Sequence, residues 1–160
     1  MKYIQAVFLL ILVAFHESIF SGATDILGVT INLPAMLVVA VALHHAESDA
    51  IWFALAVGIV AGAVMPATMG WQALIFVILA IGAYHARERL NLDSPLARLS
   101  LIIGGVLAHN IVNIFIIQPE DLVYQIWRFA LTGTLYSALV ASAFYVFRQS
   151  TTSGRRTRMM

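Results

Sequence analysis

Residues 50–98 read AIWFALAVGIVAGAVMPATMGWQALIFVILAIGAYHARERLNLDSPLAR. Two apolar runs, Ala50–Met65 and Met69–Tyr84, flank a short Pro66–Gly70 connection. A basic stretch, His85-Ala-Arg87-Glu-Arg89, closes the second run, and Ser94-Pro95 opens a third. Apolar runs repeated back to back in this way mark a polytopic membrane protein.

The whole chain supports that class. It has 160 residues, of which 61% are hydrophobic and only 11% charged, with a mean hydropathy of +0.91. Soluble domains carry about 25% charged residues, and a soluble domain of this length has no way to hide so much apolar surface. Lipid must be the solvent for much of it. The absence of cysteine excludes disulfides, thiolate metal sites and a cysteine nucleophile. Lys2 followed by an apolar run resembles the start of a signal peptide, with Ser21-Gly22-Ala23 as the small-residue region. The run precedes several further spans and is read as a retained helix, with cleavage after Ala23 as the alternative.

Working outward, the first run is Tyr3–Phe15, interrupted by His16-Glu17-Ser18 and resumed by Ile19-Phe20. At ~1.5 Å per residue, His16 lies roughly 20 Å along a helix from Lys2, inside a hydrocarbon core ~30 Å thick. His16 and Glu17 are therefore candidate intramembrane polar residues facing the protein interior, unless the helix surfaces early. Ser21–Asp25 reads as a turn. In the second run, Ile26–Leu43, Pro34 lacks a backbone donor and restrains its predecessor, so the regular helix is expected to begin at Pro34.

Gly58 and Gly62 stand four apart, the small-xxx-small spacing that lets a neighbouring helix approach closely. Trp71 and Tyr84 are placed as interfacial anchors. Asp93-Ser94-Pro95 combines capping side chains with proline at the first helical position. The fifth run, Leu96–Ile117, carries Gly104, Gly105 and Ala108, then His109, Asn110 and Asn113. Gln118–Asp121 is an acidic turn, and Leu122–Phe147 is the last run. These runs predict an all-α bundle of about six transmembrane spans over residues 1–148, followed by a basic disordered tail over 149–160.

Charge orients the bundle. Lys2, Arg87, Arg89, Arg98 and the arginines from Arg148 onward fall on one side of a six-span arrangement, and of the nine basic residues only Arg128 falls toward the other. The positive-inside rule makes both termini cytoplasmic and the protein a multi-pass resident of the inner membrane. The basic tail is expected to meet anionic lipid head groups. It has neither the groove nor the stacking platform of a nucleic-acid binder.

Chemical motifs are sparse. His109 and Asn113 share one helical face, and the segment resembles the HxxxN element of CAAX-type intramembrane metalloproteases. That family also needs a paired-glutamate EExxxR element and a second histidine helix. This chain has no Glu-Glu pair and no FxxxH match, and one histidine is too few to hold a catalytic zinc. His109, Asn110 and Asn113 are thus read as hydrogen-bonding between helices. The His44-His45-Ala-Glu47-Ser-Asp49 loop has metal-capable side chains but no second cluster to complete a shell, and is read as a solvated loop. Phosphate-binding glycine loops and a serine nucleophile elbow are absent. No catalytic residue, metal site or cofactor is expected.

Taken together, Leu33–Leu43, Gly58–Gly70 and Gly82–Arg89 with Ser94–Arg98 resemble, in order, the MreD family of the bacterial rod-shape machinery. The matching features are a proline-opened apolar helix, a glycine-spaced helix with its short turn, and a helix ending in basic residues. Pro66 stands where that family usually carries an aspartate. The resemblance implies a non-enzymatic scaffold that binds the bitopic protein MreC. It further implies a role in positioning the RodA-type glycosyltransferase and its class B transpeptidase. In this reading Gly58, Gly62, Gly104 and Gly105 are helix-packing or partner-interface candidates. The family's fold is similar to the S-components of energy-coupling-factor transporters. The alternative expectation is therefore a vitamin-uptake subunit, with His16, Glu17, His109 and Asn113 lining a ligand site.

Overall fold

The computed structural model describes residues 3–20, 31–64, 66–90, 92, 94–117 and 121–143. Regular structure among them is entirely helical: α1 (Tyr3–Phe15), α2 (Leu33–His44), α3 (Glu47–Gly62), α4 (Met69–Arg89), α5 (Pro95–Ile117) and α6, which begins as Leu122–Gln125. Two helices continue with a wider turn. Helix α1 passes into a π-helical stretch at His16–Phe20, and α6 runs through another at Ile126–Leu131 before returning to α-helix over 132–143. The Ser21–Asp25 turn, the Gln118–Glu120 part of the acidic turn, and everything from 144 on, including the basic tail, lie outside the described residues.

The segments Pro66–Arg89 and Pro95–Ile116 are long and apolar enough to cross a membrane, whereas the apolar helices Tyr3–Ile19 and Leu33–His44 are shorter. Several boundaries differ from the sequence expectation for local reasons. Helix α2 starts one residue earlier, at Leu33, because Asn32 caps it: its side chain accepts from the Ala35 N–H at 3.0 Å. Pro34 then sits in the first turn, where its missing donor costs nothing. Helix α3 begins at Glu47 rather than Ala50, with Glu47 and Asp49 in its first turn, where negative charge suits the macrodipole. Helix α4 continues past Tyr84 to Arg89, since arginine, alanine and glutamate are good helix formers and basic residues suit a helix C-terminus. His16-Glu17-Ser18 widens the first helix without breaking it.

Helices α3 and α4 form the tightest pair, an antiparallel hairpin closed by a 3₁₀ turn at Pro66–Thr68. Glycine makes it possible. A Cβ on Gly58 would stand 2.3 Å from Ala73 Cα, and one on Gly62 would stand 2.6 Å from Met69 Cα. The helix that this face receives is thus the chain's own α4. Gly105 is a milder case, since a Cβ there meets the Val39 side chain at 2.7 Å. Gly104 is exposed, and a Cβ on it would meet nothing within 4 Å.

The apolar core gathers Val13, Val38, Val57, Phe76 and Val106 from α1 to α5. At one end of the bundle Arg87 ties α2 to α4, donating from Nη1 to Ala42 O (3.2 Å) and His45 O (3.0 Å). Those carbonyls lie in the last turn of α2 and on the residue that caps it, where a cation is favoured. Arg98 donates to Leu92 O at 2.9 Å, and Ser94 Oγ accepts from Ala97 N at 3.0 Å to cap α5.

Candidate functional site

Polar side chains inside the bundle converge on Asn32. Its Oδ1 accepts from Ala35 N, so its Nδ2 faces the other way, donating to His109 Nδ1 at 2.8 Å and to Asn110 Oδ1 at 2.7 Å. The Asn32 backbone N–H donates to Ser137 Oγ at 3.1 Å, and its carbonyl accepts from Met36 N at 3.2 Å. One residue at the start of α2 thereby joins α5 and α6.

The bonds run on in a fixed sense. Asn110 Nδ2 donates to Thr134 Oγ1 at 3.3 Å, and that hydroxyl donates to Ala130 O at 2.6 Å. Ser137 Oγ donates a hydrogen bond to Gly133 O at 2.8 Å. One turn along α5, Asn113 Oδ1 accepts from Gln72 Nε2 of α4 at 2.9 Å. Buried polar groups need such partners, because leaving one unmade costs about 1–3 kcal/mol.

His109 is 4% exposed, and its ring stacks on Phe76 with centroids 4.5 Å apart. Asn32 Nδ2 is a donor only, so His109 Nδ1 must be the acceptor and Nε2 carries the proton. This tautomer turns a donor, not a lone pair, toward the side of the ring away from Asn32. His109 Nε2 is buried and unpartnered, and so are His16 Nε2 and Gln125 Oε1.

His16 is 8% exposed, within the π-helical turn. Its Nδ1 faces Glu17 Oε1 at 3.4 Å, a long contact. His44, expected in a loop, is instead the last residue of α2 and stands apart from this layer: it is exposed and donates from Nδ1 to Ala40 O at 2.8 Å. Among the described residues no three His, Asp or Glu side chains stand together as metal ligands.

The structure thus brings His109 and Asn110 together through Asn32, links Asn113 to α4, and places His16 and Glu17 at the end of α1. Sequence reasoning missed Asn32, Gln72, Thr134 and Ser137 as partners. The available signal was a set of isolated polar residues within otherwise apolar runs.

No protein family, curated protein or solved structure matches the chain. The functional reading therefore rests on the residues themselves.

Proposed function

We propose that this chain is a non-enzymatic integral membrane subunit of the MreD kind, acting in the cell-elongation machinery through helix packing. In this reading it crosses the inner membrane about six times, with both termini cytoplasmic. Its partner is an MreC-like bitopic protein, and through it the RodA-type glycosyltransferase and class B transpeptidase.

The observation that carries the reading is the α3–α4 hairpin. The Gly58–Gly70 stretch, one of the segments that carry the resemblance, folds as a close helix pair with Gly58 and Gly62 set against the backbone of α4. Two further features agree. Arg87, Arg89 and Arg98 gather at one end of the bundle, while Arg128 lies near the start of α6 at the other. Asn110 and Asn113 bond to side chains of neighbouring helices, a structural use of polar groups.

Purification of the tagged full-length protein from its native membrane tests the reading. An MreC-like protein is expected in stoichiometric amount. A second reading, a vitamin-uptake subunit, draws on the unpartnered buried nitrogens of His16 and His109. It requires a vitamin-sized molecule in stoichiometric amount and no MreC-like protein, and that result would sink the scaffold.

A further inference from the structure

The intramembrane polar groups share one level. Counting ~1.5 Å per helical residue, Asn32 lies roughly 18 Å from the His44 end of α2 and His109 roughly 21 Å from the Pro95 end of α5. On the same measure His16 lies roughly 20 Å from Tyr3. In the proposed orientation all three sit about 10 Å beneath the outer boundary of a ~30 Å core. Two of them, His16 and His109, are more than nine-tenths buried and have an Nε2 without a partner.

The chemistry of the unmet groups limits what meets them. His109 presents an Nε2–H, because its Nδ1 lone pair is held by Asn32. The opposite tautomer would need Asn32 Oδ1 on that side, and Oδ1 is committed to Ala35 N. A metal ion needs a nitrogen lone pair and is therefore refused at His109 Nε2. The start of α2 offers an anion no more than the N–H of Leu33. Pro34 has no N–H, the N–H groups of Ala35 and Met36 go to Asn32, and that of Asn32 goes to Ser137. On His16, Nδ1 lies 3.4 Å from Glu17 Oε1, and Nε2 has no partner.

We infer that this layer holds an uncharged oxygen-bearing guest, a water or a small hydroxyl or carbonyl compound, that accepts a hydrogen bond from His109 Nε2. The guest accepts the unpaired N–H of a ring whose other nitrogen and whose face are already occupied, by Asn32 and by Phe76. This inference needs only the membrane-spanning reading and holds for a scaffold or a transport subunit alike.

The test uses the full-length protein, labelled with ¹⁵N-histidine, in lipid nanodiscs with no compound added. The chain has five histidines, and the His109 ring is identified by its loss in His109→Asn. That variant keeps an acceptor oxygen near the Nδ1 position while removing Nε2. Should it fail to fold, backbone assignment of the wild-type protein identifies the ring instead. The expected spectrum has Nδ1 bare, Nε2 protonated, and its proton shifted as a hydrogen-bonded donor. A cross-peak from that proton to the water resonance assigns the guest as water. An added mass in the native mass spectrum, lost in His109→Asn, assigns it as a small molecule. An Nε2–H at an unbonded shift with neither cross-peak nor added mass overturns the inference, as does a proton on Nδ1. Failure in either form leaves the co-purification test of the scaffold untouched.

Discussion

The Asn32 amide donates to His109 Nδ1 at 2.8 Å across 77 positions of the chain. The bond joins the first residue before α2 to the second half of α5, so one side chain both starts a helix and holds its neighbour. Two effects that are usually separate, capping and interhelical bonding, coincide at Asn32.

Asn32→Ala is accordingly expected to cost more than either effect alone. An N-cap is worth typically ~1 kcal/mol, and interhelical bonds in membranes average ~0.6 kcal/mol each. A loss of about 2 kcal/mol is expected in reversible unfolding of the protein in mixed micelles. Asn32→Asp separates the two, since it keeps the capping oxygen but sets a carboxylate oxygen against Asn110 Oδ1. In a double-mutant cycle Asn32→Ala and His109→Ala are expected to couple by ~0.6 kcal/mol, and full additivity would show that the pair makes no bond of consequence.

The glycines provide an internal control. Gly58→Ala and Gly62→Ala each drive a methyl into backbone at less than 3 Å, which cannot be relieved by turning a side chain. Both are expected to lower the yield of folded protein, and the leucine variants to abolish it. Gly105→Ala is expected to cost less, because it meets the movable Val39 side chain, and Gly104→Ala is expected to be neutral or slightly stabilising. Equal tolerance at Gly58 and Gly104, read by size-exclusion profile and thermal stability, would contradict the hairpin geometry.

Arg87 is expected to be more than a topology signal. Arg87→Ala removes donors to two carbonyls at the end of α2 and is expected to destabilise by about 1.5–3 kcal/mol, the range for hydrogen bonds to charged groups. Faster hydrogen exchange at His45, whose N–H bonds to Val41 O, reports the loosened end. Arg87→Lys keeps the charge but lacks the planar fork, so it should rescue orientation and only part of the stability.

How much of this was legible in the sequence follows from the range of each interaction. Ser94-Pro95 announced α5 because the cap acts over three residues. Gly58 and Gly62 announced a close contact because a bare face at helical spacing has few other uses, although spacing alone left open whether it would meet α4 or a partner. The same pattern at Gly104 was uninformative, since it carries no record of which side faces protein. Asn32 is one polar residue just ahead of Pro34, with no local pattern to single it out. Its partners lie 77 and 78 positions away, beyond any local pattern. Thr134 and Ser137 looked like ordinary span residues because their bonds to Ala130 O and Gly133 O leave no trace in composition. The widened turns at His16–Phe20 and Ile126–Leu131 likewise have no composition of their own.

A membrane orientation with the arginine-rich end cytoplasmic underlies both the proposed scaffold and the proposed guest. The chain has no cysteine, so single cysteines can be introduced at exposed positions without a background. Ala67 lies in the α3–α4 turn, whereas Ser48 and Ser94 lie at the arginine-rich end. With a membrane-impermeant thiol reagent on intact cells, Ala67→Cys is expected to label at once, and Ser48→Cys and Ser94→Cys only after permeabilisation. Labelling of all three from the same side would contradict the account.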